Sequence, residues 1–229
     1  MGEMAMSGST MSMMWMRMPG QSWPGTAASF LVMWIVMMVA MMLPSLAPTL
    51  WRYRDCLRRT DSTHIGARTA LVGAGYFSVW AAAGTIVFPF GVATAYAAAQ
   101  LPVLARITPI VAGVAVLLAG ALQRTAWKTR QLAACRESPA HALSARVHTA
   151  WRHGVRLGLH CVGSCAGLTM VGLLVGAMDL RVMAVVTAAI TVERIEPSDA
   201  RIVRAIGDAV VVVGLVMLAR AAGLGGQAL

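Results

Sequence analysis

The run from Gln21 to Leu50 contains no charged residue, and no other feature constrains this chain as much. About 20 predominantly apolar residues cross a bilayer as a helix. In hydrocarbon every backbone amide and carbonyl must find its partner inside the segment, so a run like this one becomes a helix. Further apolar runs follow. Of the 229 residues 58% are hydrophobic and 12% charged, with a mean hydropathy of +0.70. Those proportions exclude an ordinary soluble domain, and the chain reads as all-α: a polytopic membrane helix bundle forming one domain.

The positions of the charges set the expected orientation. Fifteen of the 19 Lys and Arg residues fall within 51–68, 124–156 and 194–204, as cytoplasmic loops require under the positive-inside rule. The net charge of +10 is therefore a topology signal, and no nucleic-acid partner is expected. Six spans, about 28–51, 68–99, 108–127, 154–177, 181–194 and 203–222, put both termini on the extracytoplasmic side of a bacterial inner (cell) membrane. The first run begins late and lacks a basic leader, so it is expected to remain in the protein. The polar stretch 128–153 is expected to lie partly as an amphipathic helix on the membrane surface.

Methionine is concentrated at the start. The tail, residues 1–26, carries Met4, Met6, Met11, Met13, Met14, Met16 and Met18 among Gly, Ser and Pro, too little apolar bulk to fold alone. Such MxM clusters suit capture of Cu(I) by soft thioethers; low-complexity drift is the other reading. In the first span Met33, Met37 and Met41 share one helical face, with Met38 and Met42 about 100° around. Either they are ligands for Cu(I) or they fill irregular packing, as Met often does.

The four cysteines are Cys56, Cys135, Cys161 and Cys165. The first two lie in basic, reducing-side loops, which argues against a disulfide framework. Cys161 and Cys165 are one turn apart on one face of the fourth span, a partial soft site for Cu(I). Helical geometry opposes a disulfide between them. His160 is adjacent, and an intramembrane imidazole marks function by default. Gly154, Gly158, Gly163, Gly167, Gly172 and Gly176 make three GxxxG units, permitting close approach of another helix or of a second copy. Glu193 is expected to pair with Arg194 or Lys128, the other reading being that it helps move a proton or cation, and Asp208 to pair with Arg204 four residues before it. No nucleophile triad or phosphate loop is present, and no enzymatic activity is expected.

These residues carry a resemblance. Met33-Trp34 and the segment Met37-Met38-Val39-Ala40-Met41-Met42-Leu43-Pro44-Ser45-Leu46-Ala47-Pro48 look like the first-helix signature of the predicted metal-binding integral membrane proteins of unknown function. Gly75-Tyr76, Trp80, Gln123, Thr125, Lys128, Leu132, Cys135 and Arg136 continue the match. So do Gly158, Cys161, Gly163, Cys165, Leu168, Met170, Gly176, Met178 and Glu193. The resemblance covers about residues 28–197 and implies metal binding, with copper the usual suspicion. This chain departs from the pattern at Ser164, Ala166, Gln131 and Leu157, where the family usually has Cys, Trp, Cys and His.

The expected ligands are Met37, Met38, Met41, Met42, His160, Cys161 and Cys165. The expected function is Cu(I) delivery or transport by Met/Cys ligand exchange, with a cuproenzyme or copper chaperone as partner. The alternatives are a metal-free structural or assembly subunit and a haem or quinone oxidoreductase. Only His160 is placed within the membrane, which leaves no pair of axial histidines for haem.

Overall fold

The computed structural model describes residues 22–59, 64–134, 147–176, 179–195 and 200–223, and within them every apolar run is helical. The helices are α1 (Trp23–Arg59), α2 (Ile65–Gln100), α3 (Pro102–Gln123), α4 (Ala126–Ala134), α5 (Val147–Gly176), α6 (Leu180–Ile195) and α7 (Ala200–Ala221). No strand occurs among the described residues. The all-α bundle expected from composition is what forms. Among the described residues four helices, α1, α2, α5 and α7, are long and apolar enough to cross a membrane, and α3 with α4, a pair bent by 68°, gives a fifth candidate. The segment expected at 181–194 becomes α6, with 16 residues; at ~1.5 Å per residue it is about 24 Å long, less than a ~30 Å hydrocarbon core.

The bend has a local cause. At the end of α3 the Arg124 amide bonds the carbonyls of Ala121 and Leu122. The Thr125 amide and hydroxyl both donate to Leu122, at 3.1 and 2.7 Å. These tight contacts absorb carbonyls that an ending helix leaves open, and the chain restarts as α4 in a new direction. The stretch beginning at Lys128 therefore starts by turning back onto the bundle: Lys128 and Leu132 are buried. Arg124 at the corner also takes Asp208, at 3.2 Å, so Asp208 finds its partner on another helix and not at Arg204.

Two close helix pairs organise the rest. α2 lies along α5, and α3 lies along α7. Glycine permits both. A Cβ on Gly75 would sit 2.6 Å from the Trp151 carbonyl, and one on Gly158 2.9 Å from the Tyr76 carbonyl. Between α3 and α7, a Cβ on Gly120 would come within 2.8 Å of Val211, and one on Gly214 within 2.8 Å of Leu117. The first GxxxG unit is thus spent inside the chain, against α2, and does not offer a face to a second copy. α1 packs on α2 and α6, and Trp34 Nε1 donates to the Trp80 carbonyl at 2.8 Å. The close backbone neighbours of α5 are α2, α3, α4 and α6; α1 reaches it through long side chains.

The contact at Gly158 is with backbone and cannot yield. Gly158→Leu is expected to lower unfolding stability in detergent by about 1–3 kcal/mol or more. Gly73→Ala, where an added Cβ meets nothing within 4 Å, is expected to leave it unchanged or raise it by up to ~1 kcal/mol. Thermal unfolding of the two variants beside the parent checks both.

Candidate metal centre

Spacing by four residues on a helix puts two side chains on one face, and α5 turns that face inward. The Sγ atoms of Cys161 and Cys165 are 3.7 Å apart, and both thiols are free and buried. From α1, Met42 extends its thioether to within 3.9 Å of Cys161 Sγ. An unbranched side chain with three rotatable bonds suits this reach across a gap that the backbones do not close. Three sulfurs sharing one ion at bonds of ~2.3 Å, the length of a zinc–thiolate bond, stand about 4 Å from one another. The two separations in the protein are close to that value. The donor set is wholly soft, which fits Cu(I) and disfavours hard cations.

Polar groups surround the sulfurs. Tyr76 Oη, on α2, donates to Cys161 Sγ at 2.8 Å. Ser164 Oγ lies 3.5 Å from Cys165 Sγ and donates to the Cys161 carbonyl at 3.0 Å. Behind Ser164 is an ion pair. Lys128 Nζ meets Glu193 Oε2 at 2.8 Å, with the two side chains only 2% and 1% exposed, and also donates to the Ser164 carbonyl. Gln123 Nε2 donates to Glu193 Oε1 at 3.0 Å. The group thereby joins α3, α4, α5 and α6. On the α1 side, Arg194 Nη1 donates to Ser45 Oγ at 3.2 Å, and Ser45 donates to the Met42 carbonyl at 2.9 Å. The turn that carries Met42 is thus tied to α6.

The expected residues separate into three groups. Cys161, Cys165 and Met42 come together. Met37, Met38 and Met41 lie farther along α1 beside Met183 of α6, around a small cavity. His160 turns elsewhere: its Nδ1 lies 2.8 Å from Gln131 Oε1 of α4, and the structure does not bring it to the thiols. Cys56 is part-buried near the basic end of α1. Cys135, Arg136, Met178 and the Met-rich tail lie outside the described residues. Among the described residues no group of three or more His, Cys, Asp or Glu side chains gathers as a metal cluster. The cluster here is two thiols and a thioether.

Tyr76 and Ser164 entered from the sequence only through the family resemblance and not as site residues, because neither has a metal-ligand spacing of its own. The pairing of Glu193 with Lys128 was one of the two expected.

A family model described as PpoB2, copper chaperone, matches residues 31–217. The chain belongs to this copper chaperone family. The matched range includes Met42, Tyr76, Lys128, Cys161, Cys165 and Glu193, so the sulfur cluster and the ion pair of this copper chaperone family member both fall within it. No curated protein and no solved structure matches the chain.

Removing one member of a buried ion pair leaves the other charged and uncompensated, a loss of roughly 3–5 kcal/mol. Lys128→Met is expected to destabilise the protein by that order. Lys128→Met combined with Glu193→Leu is expected to recover most of it, because paired apolar replacements are often neutral. Unfolding of the single and double variants in the same detergent measures the difference.

Proposed function

We propose that this chain binds one Cu(I) between Cys161, Cys165 and Met42 and hands it on by exchange among sulfur ligands. The observation that carries this reading is the meeting of three sulfurs from two helices, at 3.7 and 3.9 Å, inside the bundle. Membership of a copper chaperone family supplies the metal and the class of task.

Charge supports a loaded site. Binding converts both thiols to thiolates, so two thiolates and one Cu(I) carry one net negative charge. Lys128 and Arg194 both lie within electrostatic range of Cys165, and positive side chains near a buried anion offset part of its cost. Tyr76 stabilises the loaded form from α2, since its hydroxyl donates to a thiolate better than to a thiol.

The rest of the reading follows the soft donors outward. The tail methionines collect the ion, and Met37, Met38 and Met41 pass it along α1 to Met42 and the thiols. With the basic segments cytoplasmic and the Met-rich tail outside, the route runs from the outer side inward to the site, and a cuproenzyme takes the ion from it. Ligand exchange needs no catalytic acid or nucleophile, and we assign the chain no enzymatic activity. His160 plays no part at the sulfurs in this scheme; it holds α4 through Gln131.

Purified protein titrated with Cu(I) under reductant against a competing chelator is expected to hold a tight equivalent. Cys161→Ser with Cys165→Ser is expected to remove that equivalent, Met42→Leu to weaken it by about tenfold, or ~1.4 kcal/mol, and His160→Ala to leave it alone. An unchanged tight equivalent in the double cysteine variant sinks the reading.

A further inference from the structure

One helical turn from the thiols lies a second concentration of sulfur. A small cavity is lined by Met37, Met38 and Met41 of α1, Thr169 of α5 and Met183 of α6, among others. Its volume, about 10 Å³, is that of about one water-sized sphere. Met38 is four residues before Met42 and Thr169 four after Cys165. On antiparallel courses both displacements point away from the basic end of α1, by about 6 Å at ~1.5 Å per residue. Met183 was not expected from the sequence. It stands alone in α6 without Met spacing, and only the packing of α6 on α1 brings it to the others.

Packing alone does not account for the polar group placed there. Thr169 is 6% exposed, and its Oγ1 has no hydrogen-bond partner among the described residues. A buried hydroxyl left unmatched costs ~1–3 kcal/mol. In helices Thr usually settles this by donating to a carbonyl one turn back, as Thr187 does to Met183 at 2.7 Å. Thr169 does not. Thr169 lines the cavity beside thioethers that can bind a soft ion through uncharged sulfur.

We propose that Met37, Met41 and Met183, with Met38 and the Thr169 hydroxyl beside them, form a second Cu(I) site, made of thioethers and distinct from the thiol site. It rests on the reading of the chain as a Cu(I) handler. The ligands are uncharged, so the bound ion keeps its single positive charge uncompensated in the bundle, and no proton is released when it binds. This site is therefore the weaker and faster-exchanging of the two, and its position one turn out makes it the station before the thiols. Met38 and Met42, adjacent along α1 on one face, bridge the two sites.

The test uses the full chain in lipid nanodiscs with methyl-¹³C methionine, titrated with Ag(I) as a redox-inert stand-in for Cu(I). The first equivalent is expected to shift the Met42 methyl, and a later one the methyls of Met37, Met41 and Met183. In Cys161→Ser with Cys165→Ser the first step is expected to vanish and the second to persist. Met183→Leu is expected to weaken the second step at least tenfold and leave the first intact. If the methyls of Met37, Met41 and Met183 stay unmoved in the parent protein at saturating Ag(I) while tail methyls shift, the second site does not exist. That readout needs no variant to fold. Persistence of the Met42 shift in the double cysteine variant would instead overturn the thiol site and leave this one standing.

Discussion

A lysine and a glutamate with almost no exposed surface, 2.8 Å apart, hold the arrangement on which the sulfur cluster depends. Taking two charges out of water costs several kcal/mol each unless the attraction and extra hydrogen bonds compensate. Here they do: Gln123 adds a donor to the carboxylate, and the Ser164 carbonyl accepts from the ammonium. Those partners sit on four helices, so the pair ties the four together. α3 must break at Arg124, α4 must turn back, and α6 must lie with Glu193 inward. α5 is held at Ser164, which precedes Cys165 and donates to the Cys161 carbonyl. The bend of 68° is therefore as much a consequence of the buried charge as of the tight turn at Leu122.

Glycine and methionine divide the remaining work by size. Where backbones must approach, as at Gly75 and Gly158 between α2 and α5, the side chain is absent. Where they stay apart, as between α1 and α5, the side chain is the long flexible Met42. Bringing α2 in close places Tyr76 against Cys161. Keeping α1 off leaves the contact to long side chains: Met42 reaches Cys161, and Tyr53 stacks on His153 with ring centroids 5.7 Å apart.

What the sequence made legible were properties with a period or a run: the apolar spans, the basic ends, the i,i+4 cysteines and the methionine faces of α1. The apolar-run rule does not place helix ends. Residues 108–127 read as one span, but the helix runs Pro102–Gln123, and the break at Arg124 is written in carbonyl hydrogen bonds that carry no compositional mark. Lys128 looked like a loop residue for the same reason. Met183 and Thr169 were illegible because their role comes from the packing of α6 and α5 on α1, a contact between distant segments. His160 shows the reverse failure. Adjacency in sequence to Cys161 put it on the neighbouring face, about 100° away, where Gln131 takes it.

A carrier must hold its ion against loss and still give it up. Two thiolates alone bind Cu(I) tightly and leave a buried negative charge; a thioether as third ligand adds no charge and contributes a weaker bond. In the proposed site the thioether comes from α1, the helix whose backbone is not packed closely on α5. In that proposal, withdrawal of Met42 by a small shift of α1 would open one coordination position and leave the cysteines and the ion pair behind them in place. An incoming sulfur from a partner can then enter before either thiolate leaves. The turn that would have to move is the one fastened through Ser45 to Arg194. That hydrogen bond, between neutral and charged groups at 3.2 Å, is worth about 1.5–3 kcal/mol, small enough to be exchanged for the contacts of a docked partner.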